Sequence, residues 1–327
     1  MKAITIVLSA ALAAAGIAGA APHRAAPYMG AVSADATGRV LFSDGADREA
    51  YPASVTKLMT ALIVLEDVRA GKYTFFDFAT ATADAMRCEP SWVGLKKGER
   101  MSVRDLLYAM MVESANDAAI VLGVHSAGSF DAFIARMNSR ASELGMTATR
   151  YHNPNGLPPN ASKRYPWKEF NVSTAADQLK LALQLVKYPE IFEFTSVKTC
   201  DLVKTVGGYR VSVTRAANRP FRETKLAPGE KIVKQLRNHN NIMRMDKLKI
   251  RNSDGKEAVD GLKTGYIDAG GSSIVLTGSR AGKRAVVVVL GCDSMLDAKG
   301  RVLRKSSDVR DDNARRLLVD ALGSLVW

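Results

Sequence analysis

A serine and a lysine that could form a nucleophilic pair lie three positions apart near the start of the chain. They are Ser54 and Lys57, and an apolar run typical of a helix follows at 58–65. Residues i and i+3 of a helix share one face, so the hydroxyl and the amine are expected within hydrogen-bond distance. Serine needs an adjacent base to act as a nucleophile, and an amine in a dry pocket can lose its proton and serve as that base. The spacing therefore predicts an acylable Ser54 that is activated by Lys57.

A Ser-x-x-Lys pattern is weak evidence by itself, since average composition gives roughly one chance match in a chain of this length. A second match runs from Ser253 to Lys256, and its Asn-Ser-Asp-Gly sequence is typical of a turn, so we interpret it as a turn. For the first match, the structural alternative is a helix-capping serine followed by a solvated lysine. Other parts of the chain have to decide between the two.

Two further motifs support the chemical interpretation. Ser114-Ala115-Asn116 falls between two predicted helices, and Lys263-Thr264-Gly265 is placed at the end of a predicted strand. Either motif has a structural alternative: a helix-connecting turn for the first and a solvated lysine for the second. All three motifs together, in this order and each in a fitting context, favour one active site.

The beginning of the chain has the pattern of an export signal. Lys2 precedes an apolar run at 4–17, and Ala18-Gly19-Ala20 is a small-x-small cleavage sequence. We predict a cleaved signal peptide at 1–20, with an uncleaved anchor as the weaker alternative, and hence a periplasmic, extracellular or cell-wall location. The net charge of +13 then favours anionic wall polymers or lipid headgroups over nucleic acid as partners. We expect no firm membrane anchor.

Metal and thiol chemistry have little support in the sequence. Cys88, Cys200 and Cys292 lie far apart and show no metal-ligand spacing. One pair could form a disulfide, or all three could be buried small side chains. Neither a His-Glu-x-x-His zinc motif nor a Gly-x-Ser-x-Gly nucleophile elbow is present.

The pattern of elements predicts an α+β fold. Short apolar runs near both termini predict strands, namely an N-terminal hairpin and a C-terminal antiparallel meander, while the central part predicts helices. The simplest architecture is an α/β sandwich in which one antiparallel sheet, with the hairpin added to the C-terminal strands, is covered by helices. We expect one catalytic domain at 21–327. The basic region 195–257 is expected to form short strands and loops and to hold a possible insertion.

The motifs and their flanks resemble the D-alanyl-D-alanine carboxypeptidase family of low-mass penicillin-binding proteins, which are serine DD-peptidases. The resemblance covers roughly residues 28–322 and rests on four segments, Tyr51-Pro52-Ala53-Ser54-Val55-Thr56-Lys57-Leu58-Met59-Thr60, Ser114-Ala115-Asn116-Asp117-Ala118-Ala119, Asn153-Pro154-Asn155-Gly156-Leu157 and Asp260-Gly261-Leu262-Lys263-Thr264-Gly265. It implies the DD-peptidase/β-lactamase fold and an exported hydrolase that trims peptidoglycan stem peptides. It also implies acylation by β-lactam antibiotics, and it implies no cofactor and no metal.

The resemblance also implies a role for each motif residue. Ser54 would attack the carbonyl between two D-alanines, and Lys57 would take its proton. Ser114 would relay a proton to the departing amine, while Asn116 would hold Lys57 and the substrate amide. Lys263 would bind the terminal carboxylate of the substrate, and Thr264 would supply a hydroxyl contact. Gly265 would let the substrate backbone approach the strand closely. The backbone N–H groups of Ser54 and Tyr266 would form the oxyanion hole.

Three other functions stay open at this point. A DD-endopeptidase that cuts peptidoglycan crosslinks would share every motif. A class A β-lactamase would need a deacylating glutamate, for which Glu169 is the nearest candidate, although its spacing from Asn171 is too short and Ala115 replaces an aspartate. A catalytically idle wall-binding protein is disfavoured by the intact set of motif residues.

Overall fold

A computed structural model describes residues 26–85, 88–159, 167–246, 248, 250–251, 255–297 and 299–325. The predicted signal peptide at 1–20 lies outside the described residues, as does Ser253 of the second Ser-x-x-Lys match. The strands of the described part are β1 Gly30–Asp35, β2 Val40–Asp44, β3 Phe78–Thr80, β4 Arg100–Ser102, β5 Val197–Thr205, β6 Gly208–Ala216, β7 Lys231–Arg237, β8 Val259–Ile267, β9 Gly271–Arg280, β10 Lys283–Cys292, β11 Met295–Leu296 and β12 Val302–Arg304. The helices are α1 Lys57–Arg69, α2 Val103–Val112, α3 Asn116–Ala127, α4 Phe130–Glu143, α5 Ala175–Leu185, α6 Ile191–Thr195, α7 Asn241–Arg244 and α8 Ser306–Ser324.

The N-terminal hairpin joins the C-terminal meander in one antiparallel sheet with the order β2-β1-β10-β9-β8. The central strand β10 is apolar and buried from Ala285 onwards, as expected for a strand that is covered on both faces. Val286 and Val288 pack into the larger hydrophobic core beneath α1, α3 and α5, whereas Val287 and Val289 pack into a second core beneath α8. Because successive side chains of a strand point to opposite faces of the sheet, this single apolar run contributes to both cores. The predicted α+β sandwich and the pairing of the hairpin with the C-terminal strands are confirmed.

The basic region 195–257 differs from the prediction. Instead of short strands and loops it contributes β5 and β6, each of nine residues, and the seven-residue β7. With β3 and β4 they form a second five-stranded sheet of order β3-β4-β6-β5-β7. The alternation of apolar and polar residues that indicates a strand is missing from the edge strand β7. Polar residues occupy both of its faces, and six of its seven residues are exposed.

Helix α1 carries the central positions of the larger core. Every residue from Lys57 to Leu65 is buried, so the helix is enclosed on all sides and is not amphipathic. Helix α2 is capped by Ser102, whose hydroxyl accepts a hydrogen bond from Asp105 N. Thr174 caps α5 in the same way, while the neighbouring Ser173 hydroxyl contacts Thr149 and Gln178.

Within the described residues no single helix is long and apolar enough to cross a membrane. The helices α3 and α4 reach that length and hydropathy only when they are taken together, and an 85° bend separates them. Cys88, Cys200 and Cys292 are all buried, and no disulfide joins any two of them.

Candidate active site

Ser54 and Lys57 meet as the sequence predicts, through a slightly different backbone. Ser54 lies in a 3₁₀ turn, Ala53–Thr56, and α1 begins only at Lys57. A 3₁₀ turn stacks residues i and i+3 directly above one another, so the spacing still brings the two side chains together. Lys57 Nζ lies 2.8 Å from Ser54 Oγ. The predicted nucleophile and base are therefore in hydrogen-bond contact.

The Lys57 amine is enclosed by polar atoms in a dry environment. Besides Ser54, it contacts Asn116 Oδ1 at 2.7 Å and the carbonyl oxygen of Asn155 at 2.6 Å, and its side chain is fully buried. Burial, followed by the positive charge of Lys263, lowers the pKa of Lys57 well below its usual value. The direction of this shift favours the neutral amine, the form that can act as a base towards Ser54.

Asn116 is oriented by contacts on its far side. Its Nδ2 donates to the carbonyl oxygen of Cys88 at 2.8 Å, which leaves Oδ1 for Lys57 and fixes the amide orientation. The neighbouring Asp117 carboxylate accepts hydrogen bonds from the backbone N–H groups of the segment 93–95. The N-terminus of α3 is therefore tied to the loop that precedes β4, and Asn116 is held where Lys57 needs an acceptor.

The loop 153–157 is held in place by internal hydrogen bonds, in line with the turn-forming Asn-Pro-Asn-Gly sequence. The Asn153 side chain accepts from Gly156 N and donates to the Leu157 carbonyl, while Thr60 of α1 donates to the Pro154 carbonyl. The structure adds a role that the sequence did not indicate, because this loop supplies the Asn155 carbonyl to Lys57. A turn-forming sequence does not reveal in which direction a particular backbone carbonyl group points.

Gly156 lets this loop approach the nucleophile turn closely. Its φ is +83°, and a Cβ at this position would lie 1.9 Å from the Ala53 carbonyl oxygen and 2.9 Å from Ser54 N. Real side chains do not come so close, so only glycine fits here. On strand β8, a Cβ at Gly265 would lie 3.1 Å from Ser54 N and 2.7 Å from the Pro52 carbonyl oxygen. Two glycines from distant parts of the chain therefore enclose the Ser54 backbone.

Ser114 lies in the turn between α2 and α3, as predicted. The residue is buried and has a φ of +62°, which is unusual for a residue with a side chain. Among the described residues, its hydroxyl makes no hydrogen bond to Ser54 or Lys57. The backbone places Ser114 two positions from Asn116, and its role as a proton relay remains a prediction.

The Lys263-Thr264-Gly265 motif is inside a strand and not at its end. Strand β8 continues to Ile267, because Gly265 and Tyr266 still pair with Ser273 and Ser272 of β9. Lys263 is buried, and its Nζ donates to the Thr264 carbonyl oxygen at 2.9 Å. Burial, followed by the nearby Arg310 guanidinium, lowers the pKa of Lys263 to about 7.

His239 is a residue near the site that sequence reasoning passed over. It follows β7 and is exposed, yet partial desolvation and then the positive charges of Lys263 and Lys57 lower its pKa to about 4. The imidazole is therefore neutral at neutral pH.

Glu169, the candidate deacylating glutamate of a β-lactamase, is not positioned for that role. Its side chain is 73% exposed, and its carboxylate lies 3.6 Å from His152 Nε2. The neighbouring Asn171 amide instead supports the nucleophile turn by donating to Thr56 Oγ1. Among the described residues, no group of three or more His, Cys, Asp and Glu side chains is arranged to hold a metal ion.

Comparisons with known proteins agree with this geometry. The family model for D-alanyl-D-alanine carboxypeptidases (peptidase family S11) matches residues 18–294. The carboxypeptidase DacF of Bacillus subtilis is 27% identical over 268 residues, which are 82% of this chain and 58% of the relative. This chain thus spans little more than half the length of that relative.

Solved structures show the same fold. The D-alanyl-D-alanine carboxypeptidase DacD of Francisella tularensis superposes with a TM-score of 0.73 at 27% identity, over 94% of this chain and 72% of that one. A penicillin-binding protein of Listeria monocytogenes in its ampicillin-bound form gives a TM-score of 0.66 at 25% identity, over 92% and 99% of the two chains. The DD-peptidase fold predicted from the sequence is confirmed. Because the family model covers most of its length, the chain belongs to the D-alanyl-D-alanine carboxypeptidase family.

Proposed function

We propose that the protein is a serine-type D-Ala-D-Ala carboxypeptidase that removes the terminal D-alanine from peptidoglycan stem peptides. The observation that carries this proposal is the contact of a fully buried Lys57 amine with Ser54 Oγ at 2.8 Å. A neutral amine at that distance can accept the serine proton as the hydroxyl attacks a carbonyl. The family relationship and the Lys263 charge then indicate which carbonyl is attacked.

Acylation consists of nucleophilic attack by Ser54, stabilisation of the tetrahedral intermediate and departure of the amine. Ser54 Oγ bonds to the penultimate D-alanine carbonyl carbon while its proton passes to Lys57 Nζ. The backbone N–H groups of Ser54 and Tyr266 stabilise the oxyanion, a contribution that is worth about 3 kcal/mol per donor in enzymes of known mechanism. The C–N bond then breaks, and a proton reaches the departing amine through Ser114. Water hydrolyses the resulting ester and regenerates Ser54.

Lys263 supports the choice of a peptide that ends in a carboxylate. Among the described residues, its buried amine pairs with no carboxylate and donates a hydrogen bond to the Thr264 carbonyl oxygen. An incoming carboxylate would pair with this amine and favour its charged form. Asn116 and Thr264 supply further polar contacts beside it. A β-lactam also carries a carboxylate next to a reactive amide, so acylation of Ser54 by penicillin follows from the same arrangement.

We further propose that the protein is exported and works on the cell wall in the periplasm or at the cell surface, as one catalytic domain at 21–327. The export pattern at 1–20 and the net charge of +13 support this location. The second sheet, which is built largely from 195–257, is the part of that domain whose purpose the catalytic residues do not explain.

The decisive experiment is incubation with a soluble stem pentapeptide, followed by mass spectrometry. Loss of one alanine by the native protein, and no loss with Ser54→Ala, is the expected result. Release of alanine at equal rates by both proteins would refute the assignment of Ser54. If the native protein left the pentapeptide intact but cleaved crosslinked muropeptides, the endopeptidase alternative would replace the carboxypeptidase.

A further inference from the structure

A groove with a volume of about 1010 Å³ runs along one edge of strand β6. On one side β6 pairs with β5 along its whole length, whereas on the other side it meets β4 only through Gly208 and Arg100. The segment 217–225 folds back beside the remaining edge, where Arg222 N donates to the Thr214 carbonyl oxygen. The groove is therefore bounded by a strand edge, by this segment and by helix α2.

The groove is strongly basic. Six cationic side chains and one acidic side chain, Glu223, line it, and the cations are Arg104, Arg210, Arg215, Arg219, Arg222 and Lys225. Arg104 pairs with Glu193, and Arg210 pairs with Glu230. Within the part of the chain that the structure describes, the other four cations form no ion pair. The groove therefore carries an excess of positive charge, which attracts anionic partners.

The groove continues into a second cavity. This adjoining cavity of about 340 Å³ shares Arg215 and Arg219 with the groove and continues towards Arg251 and Lys198, which pair with Asp246 and Glu257. A single small anion would occupy only a fraction of this length, whereas an extended polymer with repeated anionic groups would match it. Guanidinium groups bind carboxylates with two parallel hydrogen bonds, which suits arginine to such a polymer.

An aromatic side chain at the rim supports a carbohydrate-containing polymer over other anions. Phe221 does not line the groove itself, but it is 69% exposed and lies in the sequence between Pro220 and Arg222, which do line it. An exposed aromatic ring next to the groove offers an apolar surface for the face of a sugar ring. A bilayer surface could use the same residue types, but a bilayer cannot follow a concave groove between a strand edge and a loop. The shape therefore favours a polymer chain over a membrane.

We propose that this groove binds carboxylate-bearing strands of polymeric peptidoglycan and holds the enzyme on the wall while Ser54 acts on a stem peptide. This inference rests on the proposed function, although none of the residues that line the groove belongs to the candidate active site. The second sheet thereby gains a purpose: it presents an anchoring surface for the polymer that carries the substrate.

The test is cosedimentation with purified peptidoglycan sacculi from which attached phosphate polymers have been removed. The variant Arg215→Gln/Arg219→Gln/Arg222→Gln should bind sacculi about tenfold or more weakly than wild type, since each lost charged hydrogen bond is worth about a factor of ten. The control Lys97→Gln/Lys187→Gln/Lys283→Gln changes the net charge equally at exposed positions elsewhere and should bind like wild type. Sacculi with chemically amidated carboxylates should bind wild type as weakly as untreated sacculi bind the groove variant.

Equal binding of the groove variant and the control would overturn the proposal. So would undiminished binding of wild type to amidated sacculi, or a loss confined to anionic phospholipid vesicles or to phosphate polymers. Two readouts separate this inference from the proposed function. Ser54→Ala should sediment like wild type, and the groove variant should act on soluble pentapeptide at the wild-type rate. If no protein cleaves pentapeptide but the groove variant still loses sacculus binding, only the proposed function fails.

Discussion

Lys57 Nζ lies 2.6 Å from the carbonyl oxygen of Asn155, and this contact determines where the lone pair of a neutral Lys57 points. The amine has three polar neighbours, and two of them, the Asn155 carbonyl and Asn116 Oδ1, can only accept hydrogen bonds. A neutral amine has two N–H groups, so both are used by these acceptors. The lone pair then faces the third neighbour, Ser54 Oγ, which is the only one with a proton to give.

Asn116→Asp tests this arrangement with almost no change of shape. A carboxylate 2.7 Å from Nζ would favour the charged ammonium and raise the pKa of Lys57. We expect acylation by a fluorescent penicillin at pH 7 to slow about tenfold or more and to recover as the pH is raised. Asn241→Asp, which adds the same charge beside Arg244, is the control and should acylate normally. A variant that acylates at the wild-type rate at pH 7 would show that Lys57 need not be neutral.

Gly156→Ala tests the close approach of the 153–157 loop to the nucleophile turn. The new Cβ would meet the Ala53 carbonyl oxygen at 1.9 Å, so the turn that carries Ser54 must move. A shift of about 1 Å in a reacting group can cost about 100-fold in rate, and we expect a loss of that size in penicillin acylation.

Gly71→Ala is the matched control for that substitution. Gly71 has a similar φ of +71° but nothing within 4 Å of its Cβ position. It should therefore show only the backbone strain, about 1–2 kcal/mol of unfolding free energy, with acylation unchanged. Equal acylation by both variants would mean that the close approach of Gly156 does not position Ser54.

The sequence predicted which side chains meet better than it predicted what supports them. The contact of Lys57 with Ser54 could be predicted because it depends on residue type and short spacing. The Asn155 carbonyl could not, since a backbone atom has no residue identity and its direction depends on the fold of a loop 98 positions from Lys57. Gly156 and Gly265 were visible as turn and strand glycines, but the atoms they accommodate come from another part of the chain.

The same distinction applies to the fold. The strand β10 was predictable because its apolar run is continuous and is bounded by turns. The strands β5, β6 and β7 were not, because polar residues interrupt their apolar runs even at buried positions such as Lys198 and Asp201, whose partners Glu257 and Thr224 lie outside the sheet. Tertiary pairing, rather than local propensity, determines such strands.

Lys263→Arg tests whether the charge at this position limits activity at high pH. With a pKa of about 7, Lys263 loses its charge as the pH rises above that value and can no longer pair with a substrate carboxylate. Arginine stays charged over this range. The ratio of kcat/KM for the variant to that for wild type should therefore increase by up to about tenfold per pH unit above 7. A pentapeptide amide, which lacks the carboxylate, should give a ratio that does not change with pH.

Lys263→Met tests the cost of the same buried amine to stability. A lysine whose pKa falls from 10.5 to about 7 on folding destabilises the native state fully below pH 7, because the unfolded chain binds a proton that the folded chain binds weakly. This penalty decreases as the pH rises and is gone above 10.5. The unfolding free energy of wild type, relative to Lys263→Met, should thus increase with pH across this window by up to about 1.4 kcal/mol per unit. Urea unfolding at pH 7, 8 and 9 measures the difference, and Lys283→Met, at an exposed lysine on β10, is the control. A constant difference between wild type and Lys263→Met would show that Lys263 keeps an ordinary pKa in the folded protein.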